Sequence, residues 1–230
     1  MLWRDRAEQQ RVVAEFLGSF ALTFIGAGSV MIAGSLLGVA LAHGMILAIM
    51  VTALGHISGA HFNPAVTFGF LVTGRMKLAE AGRYWAGQLA GGIIAALLLR
   101  AVIDDRLVRE AHLGAPALGG GTSVGEGFLI EVILTFLLVL VVFATAVDPR
   151  GAFKIVGGFA IGLTIGADIL MGGPLTGAAM NPQRAFGPQL VSWYFKNDWI
   201  YYIAPLVGGA LAALLYDRLY LRGEPEAAAT

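Results

Sequence analysis

Six long stretches of the chain are almost wholly apolar, and charges gather between them. The runs cover roughly residues 12–33, 38–57, 82–103, 127–147, 155–171 and 199–219. A membrane-spanning helix needs about 20 such residues, so each run predicts one span. Two further apolar stretches, about 64–73 and 182–192, are too short to cross. Each opens with Asn-Pro and lies between full spans. Proline suits a helix start, where its missing N–H would go unpaired anyway. The two stretches therefore read as re-entrant half-helices.

The pattern repeats. Ser58-Gly59-Ala60-His61-Phe62-Asn63-Pro64 matches Thr176-Gly177-Ala178-Ala179-Met180-Asn181-Pro182. Glu15 to Phe20 matches Glu131 to Phe136, and Gly91 to Leu98 matches Gly208 to Leu215. The three offsets agree to within about two residues, as an internal duplication requires. Each half carries three spans, so the second must sit inverted relative to the first. Inverted repeats place their functional site where broken helices meet near mid-membrane. The expected architecture is an all-α membrane protein, one channel domain over residues 1–230. Repeat one covers about 12–103, a connecting loop 104–126, repeat two 127–219, and a short tail 220–230. The loop, with Pro116 and Gly119-Gly120-Gly121, reads as extended and polar.

Composition agrees with the pattern. Hydrophobic residues make up 57% and charged residues 13%, against about 25% charged in soluble domains. Mean hydropathy is +0.76. Net charge is zero and no long basic run exists, which excludes a nucleic-acid partner. Cysteine is absent, which excludes disulfides, Cys-based metal sites and a Cys nucleophile. The first apolar run is too long for a signal-peptide core and reads as a span. Lysine and arginine set the orientation. With both termini cytoplasmic, the inner side holds Arg4, Arg6, Arg11, Arg75, Lys77, Arg83, Arg150, Lys154, Arg218 and Arg222. The outer side holds only Arg100, Arg106, Arg109 and Lys196. A multi-pass cell-membrane protein is expected.

The candidate chemistry lies at the two Asn-Pro elements. A helix N-terminus carries about half a positive charge and unpaired N–H groups. If both half-helices point inward, Asn63 and Asn181 cap two positive ends that meet near the bilayer centre. Their amides would hold one passing water by both lone pairs, interrupting a proton wire, while the helix ends repel cations. The backbone of Gly59, Ala60, His61, Gly177 and Ala179 would line the path with carbonyl acceptors, because irregular backbone survives at this depth only beside a wet cavity. Arg184 lies within the second half-helix; an intramembrane Arg is costly and marks a pore-facing role. Glu15 and Glu131 are intramembrane carboxylates at repeat-equivalent positions, expected to accept hydrogen bonds from loop N–H groups. His43, His56 and His61 are spaced 13 and 5 apart, which matches no metal-ligand motif, and His112 reads as solvated. No cofactor or metal is expected, and no nucleophile–base pair or phosphate loop supports an enzyme.

Asn63-Pro64-Ala65 and Asn181-Pro182-Gln183-Arg184, with Ser58 to His61 and Ala185-Phe186-Gly187-Pro188, resemble the aquaporin family of major intrinsic proteins. The likeness covers about 12–219, and Gly166 to Pro188 is similar to the plant tonoplast branch. The resemblance implies a homotetramer with one pore per subunit. It implies a selectivity filter at His43, Ile169, Ala178 and Arg184. It also implies a passive water channel passing small neutral solutes such as ammonia, urea or hydrogen peroxide. A glycerol or small-polyol facilitator is the alternative, but such chains usually carry Asp where Ala185 stands and Pro-Leu where Tyr201-Tyr202 stand. A secondary transporter is the less favoured rival, with Glu15 and Glu131 as its only titratable candidates. Two departures stand out. Gln183 replaces the usual Ala and should change local packing. Asp168 stands where related sequences usually have Asn, and is expected to be a hydrogen-bonded loop anchor.

Overall fold

The structure is a computed structural model, and it describes residues 6–150 and 156–221. Arg4, Lys154, Arg222 and the tail from 222 onward fall outside the described residues. In chain order the helices are α1 (Arg6–Ile32), α2 (Leu36–Ser58), α3 (Pro64–Val72), α4 (Leu78–Val102), α5 (Asp105–Glu110), α6 (Val124–Val142), α7 (Gly157–Thr176), α8 (Pro182–Ser192) and α9 (Ile200–Tyr216). A 3₁₀ turn covers His112–Gly114. Helices α6 and α9 continue as single π-helical turns, Phe143–Val147 and Asp217–Leu221. Among the described residues, six helices are long and apolar enough to cross a membrane: α1, α2, α4, α6 with its π turn, α7, and α9 with its π turn. The short helices α3 and α8 are the two half-helices.

Three of the six expected spans match these helices to within a few residues at both ends. α1 and α4 begin earlier than their apolar runs, because charged first turns join the helix. Arg11 of α1 pairs with Glu80 of α4 at 3.0 Å, and Arg83 pairs with Glu8. α7 runs on past Gly172-Gly173-Pro174 to Thr176. Pro174 forfeits one backbone bond, but the helix ends only at Gly177, whose φ of 83° supplies the left-handed cap.

The repeats interlock. Each half-helix packs on a full helix of the opposite repeat, α3 on α9 and α8 on α4. Within each repeat a glycine allows two full helices to touch. A Cβ on Gly91 would lie 2.4 Å from the Phe16 carbonyl oxygen, and one on its mate Gly208 would lie 2.2 Å from that of Val132. Only hydrogen fits at either crossing, which is how small residues hold helices together in lipid.

The loop between the repeats is not simply extended and polar. Asp104 caps α5 by accepting from the Arg106 N–H at 2.9 Å. Leu113, fully buried with φ of 59°, then enters a cluster with Ala27, Met31, Ala96, Leu99 and Val108. Burial of Val108 and Leu113 draws the loop down onto the helices, where the surrounding polar residues alone would have left it in solvent.

Candidate functional site

Asn63 and Asn181 end two stretches of unusual backbone. Gly59, Ala60 and Phe62 all have positive φ (84°, 51° and 48°), and so do their mates Gly177, Ala178 and Met180 (83°, 45° and 52°). A non-glycine residue at positive φ costs about 1–2 kcal/mol, so two such stretches need support. Two buried carboxylates provide it. Glu15 Oε1 accepts from Ser58 Oγ at 2.7 Å and the His61 N–H at 2.9 Å. Its Oε2 accepts from the Phe62 N–H and Gln88 Nε2, both at 2.7 Å. Glu131 mirrors this, accepting from Thr176 Oγ1 at 2.7 Å, Ala179 N–H at 2.9 Å and Met180 N–H at 2.8 Å. Tyr84 and its mate Tyr201 donate to the carbonyls of Ser58 and Thr176. Ser58, Thr176, Gln88 and the two tyrosines belong to this scaffold; the sequence marks Ser58 and Thr176 through the repeat and Tyr201 only as a departure from polyol facilitators, while Tyr84 and Gln88 carry no signal there.

The scaffold brings the two Asn-Pro caps face to face. Asn63 caps α3 through Oδ1, accepting from the Ala65 N–H at 2.8 Å. Asn181 caps α8, accepting from the N–H groups of Gln183 and Arg184 at 3.1 and 3.4 Å. Each amide then crosses to the other repeat. Asn63 Nδ2 donates to Met180 O and Asn181 Nδ2 donates to Phe62 O, both at 2.9 Å. A carboxamide has two N–H donors, so each Asn keeps a second N–H beyond this cross-bond.

One cavity runs past both asparagines. Three helices supply stripes at four-residue spacing: His43, Leu47 and Val51 of α2; Leu138, Val142 and Ala146 of α6 and its π turn; Ile161, Ile165 and Ile169 of α7. The α2 and α7 stripes are repeat mates at the offset that relates Asn63 to Asn181. Eight residues of helix span about 12 Å along the cavity. The opposite wall is loop: Gly59, Ala60, His61, Phe62, Asn63, Ala178, Ala179, Met180 and Asn181. Phe62 and Met180 were not among the sequence candidates.

His43, Ile169, Ala178 and Arg184 all line this cavity. Arg184 Nε and Nη2 each lie 3.3 Å from His43 Nε2, and Arg184 Nη1 donates to Gly114 O at 2.7 Å. His43 Nδ1 lies 2.9 Å from Val39 O. The network assigns the tautomer: Nδ1–H donates to the carbonyl, leaving the Nε2 lone pair to accept from Arg184. Gly114 was not foreseen, since nothing in an apparently open loop signals a carbonyl aimed at Arg184. His61 Nδ1 lies 3.0 Å from Thr67 Oγ1, and His112 is exposed and stacked on Tyr194.

One expectation changes, and one pair of mates differs in its surroundings. A Cβ on Gly177 would lie 3.0 Å from Pro116, so the connecting loop packs on its α-carbon, whereas its mate Gly59 lines the cavity. Asp168 is not a hydrogen-bonded loop anchor. It lies inside α7, buried, and its Oδ2 has no hydrogen-bond partner among the described residues. Mid-helix amides are already committed to the helix, so none is available to it.

Comparison with known proteins agrees with this geometry. The major intrinsic protein family profile matches residues 3–216. The chain is 45% identical to probable aquaporin TIP3-2 of Arabidopsis thaliana, over 91% of this chain and 83% of that one. It is 43% identical to aquaporin TIP4-4 of Zea mays, over 91% and 86%. The fold matches the aquaglyceroporin of Plasmodium falciparum with a TM-score of 0.83 at 26% identity, covering 92% of this chain and 96% of that one. This integral, multi-pass membrane protein is a passive channel rather than an enzyme, and it belongs to the major intrinsic protein family, the aquaporins.

Proposed function

We propose that the chain is a water channel that rejects protons and ions, and that it also passes small neutral solutes such as ammonia, urea and hydrogen peroxide. The observation that carries this is the pair of cross-bonded caps, Asn63 and Asn181, at two converging helix N-termini beside a single cavity. A water there accepts from both remaining amide N–H groups and has no lone pair left for a proton from its neighbour. His43, Ile169, Ala178 and Arg184 act as the filter, with Arg184 repelling cations. The neutral-solute reading rests on Ile169 and Ala178, which leave one filter wall apolar.

The secondary-transporter rival fares poorly. Glu15 and Glu131 are fully buried, do not line the cavity, and are occupied by fixed donors. The polyol rival draws on the likeness to an aquaglyceroporin, but the relatives of higher identity are named aquaporins without glycerol in the name. We place the protein as a homotetramer with cytoplasmic termini, in the cell membrane or, after its TIP relatives, a vacuolar one. Exposed Leu41, Met45 and Ile49 form an apolar face suited to lipid or a neighbouring subunit.

Stopped-flow swelling of proteoliposomes tests the reading. Water flux well above empty vesicles, independent of ion gradients, is expected, with ammonia or urea uptake above control and glycerol uptake near it. Flux that requires a sodium or proton gradient would end the channel proposal.

A further inference from the structure

Behind the second Asn-Pro cap lies a polar cluster that the first cap lacks. Gln183 is fully buried between α1 and α4. Its Nε2 donates to Phe62 O at 3.3 Å, and its Oε1 accepts from Thr23 Oγ1 at 3.1 Å. Gly92 makes the room: a Cβ there would lie 2.4 Å from Gln183 Oε1. The repeat mates of these residues are Ala65, Val139 and Gly209. A Cβ on Gly209 would meet Ala65 O at 2.8 Å and Val139 at 3.4 Å, so that pocket is equally tight but apolar.

The polar version converges on one atom. Phe62 O already accepts from Asn181 Nδ2 at 2.9 Å. A carbonyl oxygen has two lone pairs, and Gln183 takes the second. The amide orientation of Gln183 follows from its surroundings. Turned over, Oε1 would face the Phe62 carbonyl oxygen, two acceptors in a dry pocket.

We infer that Gln183 is a positioning residue for the pore centre: braced by Thr23, it fixes the Phe62 carbonyl, and through it the direction of the Asn181 N–H left for a passing water. This rests on the reading of the cavity as a water pore. Proton exclusion depends on where that N–H points, whereas water passage tolerates a looser amide. Loss of Gln183 should therefore act on proton leak more than on water flux.

The test uses the full chain in proteoliposomes, with osmotic water flux and proton flux measured on the same vesicles, the latter by a lumenal pH dye with the potential clamped. Gln183→Met keeps volume without a donor, and Thr23→Val releases the brace from the other end. A lost bond of ordinary strength raises the proton-to-water flux ratio by about tenfold in Gln183→Met, and by less in Thr23→Val. Because both act through one bond, the double variant should leak no more than Gln183→Met alone. A wild-type ratio in Gln183→Met overturns the inference, as does one in Thr23→Val if the Met variant does not fold. Additive effects in the double variant also overturn it. Absence of water flux in the wild-type chain would instead strike at the pore reading itself.

Discussion

Arg184 and His43 meet across the cavity with both Nε and Nη2 of the guanidinium at 3.3 Å from one imidazole nitrogen. Each orients the other. The His43 ring is turned by its bond to the Val39 carbonyl, and Arg184 is tied at its other end to Gly114. Gly26 leaves the ring its place, since a Cβ there would lie 2.5 Å from His43.

Arg184→Ala should remove the cation and free His43. Urea permeability should rise by about tenfold, with cation leak above wild type and water flux retained. Solute-resolved light scattering on proteoliposomes reads this, and an unchanged solute profile would count against a filter role for Arg184.

Glu131→Ala should leave the N–H groups of Ala179 and Met180 buried without partners while those residues stay at their strained backbone angles. Each stranded donor costs about 1–3 kcal/mol. The expected outcome is a lower unfolding temperature in detergent and loss of water flux. Glu131→Gln, which keeps an acceptor oxygen, should fall between.

Gly208→Ala should disrupt the α6–α9 crossing, because the added methyl would press on the Val132 carbonyl. Overpacking of this kind costs about 1–3 kcal/mol. A drop in monodisperse protein on size exclusion and in unfolding temperature is expected, whereas Gly82→Ala, with open space around the site, should be silent.

Asp148, just past the π turn of α6, accepts from Arg150 and from Tyr216 Oη. The Arg150 guanidinium holds its carboxyl well below the usual carboxylate range. A depressed folded-state pKa stabilises fully above the unfolded value, about 3.9, and fades as pH falls below it. The difference in unfolding temperature between wild type and Asp148→Asn should therefore be constant from pH 8 to 5 and shrink only below about pH 4. A difference that changes near neutrality would show that another group controls it.

Much of the fold could be read from particular residues. Two Asn-Pro starts in register with a duplicated Glu and Gly-Gly were enough for six spans and two half-helices, because lipid leaves the backbone few alternatives. What escaped was set by contacts distant in sequence. Val108 and Leu113 look like strays in a polar loop until Ala27 and Leu99 are packed against them. Gln183 looked only like a departure, because its partners Thr23 and Phe62 lie far away in the chain. Gly177 matched Gly59 letter for letter, yet Pro116 covers one and nothing comparable covers the other. Asp168 falls within the apolar run 155–171, so its place in a helix is legible; its burial without a partner depends on packing from elsewhere and is not.

The Gly114 carbonyl also bears on how such a chain can vary. Segments joining duplicated halves usually absorb insertions freely. Here a one-residue change in length ahead of Gly114 would move an acceptor out of reach of the Arg184 guanidinium, so permeant choice would shift with no substitution among the side chains that touch the permeant. In this protein the tether between the halves is held to a fixed length by the guanidinium it anchors.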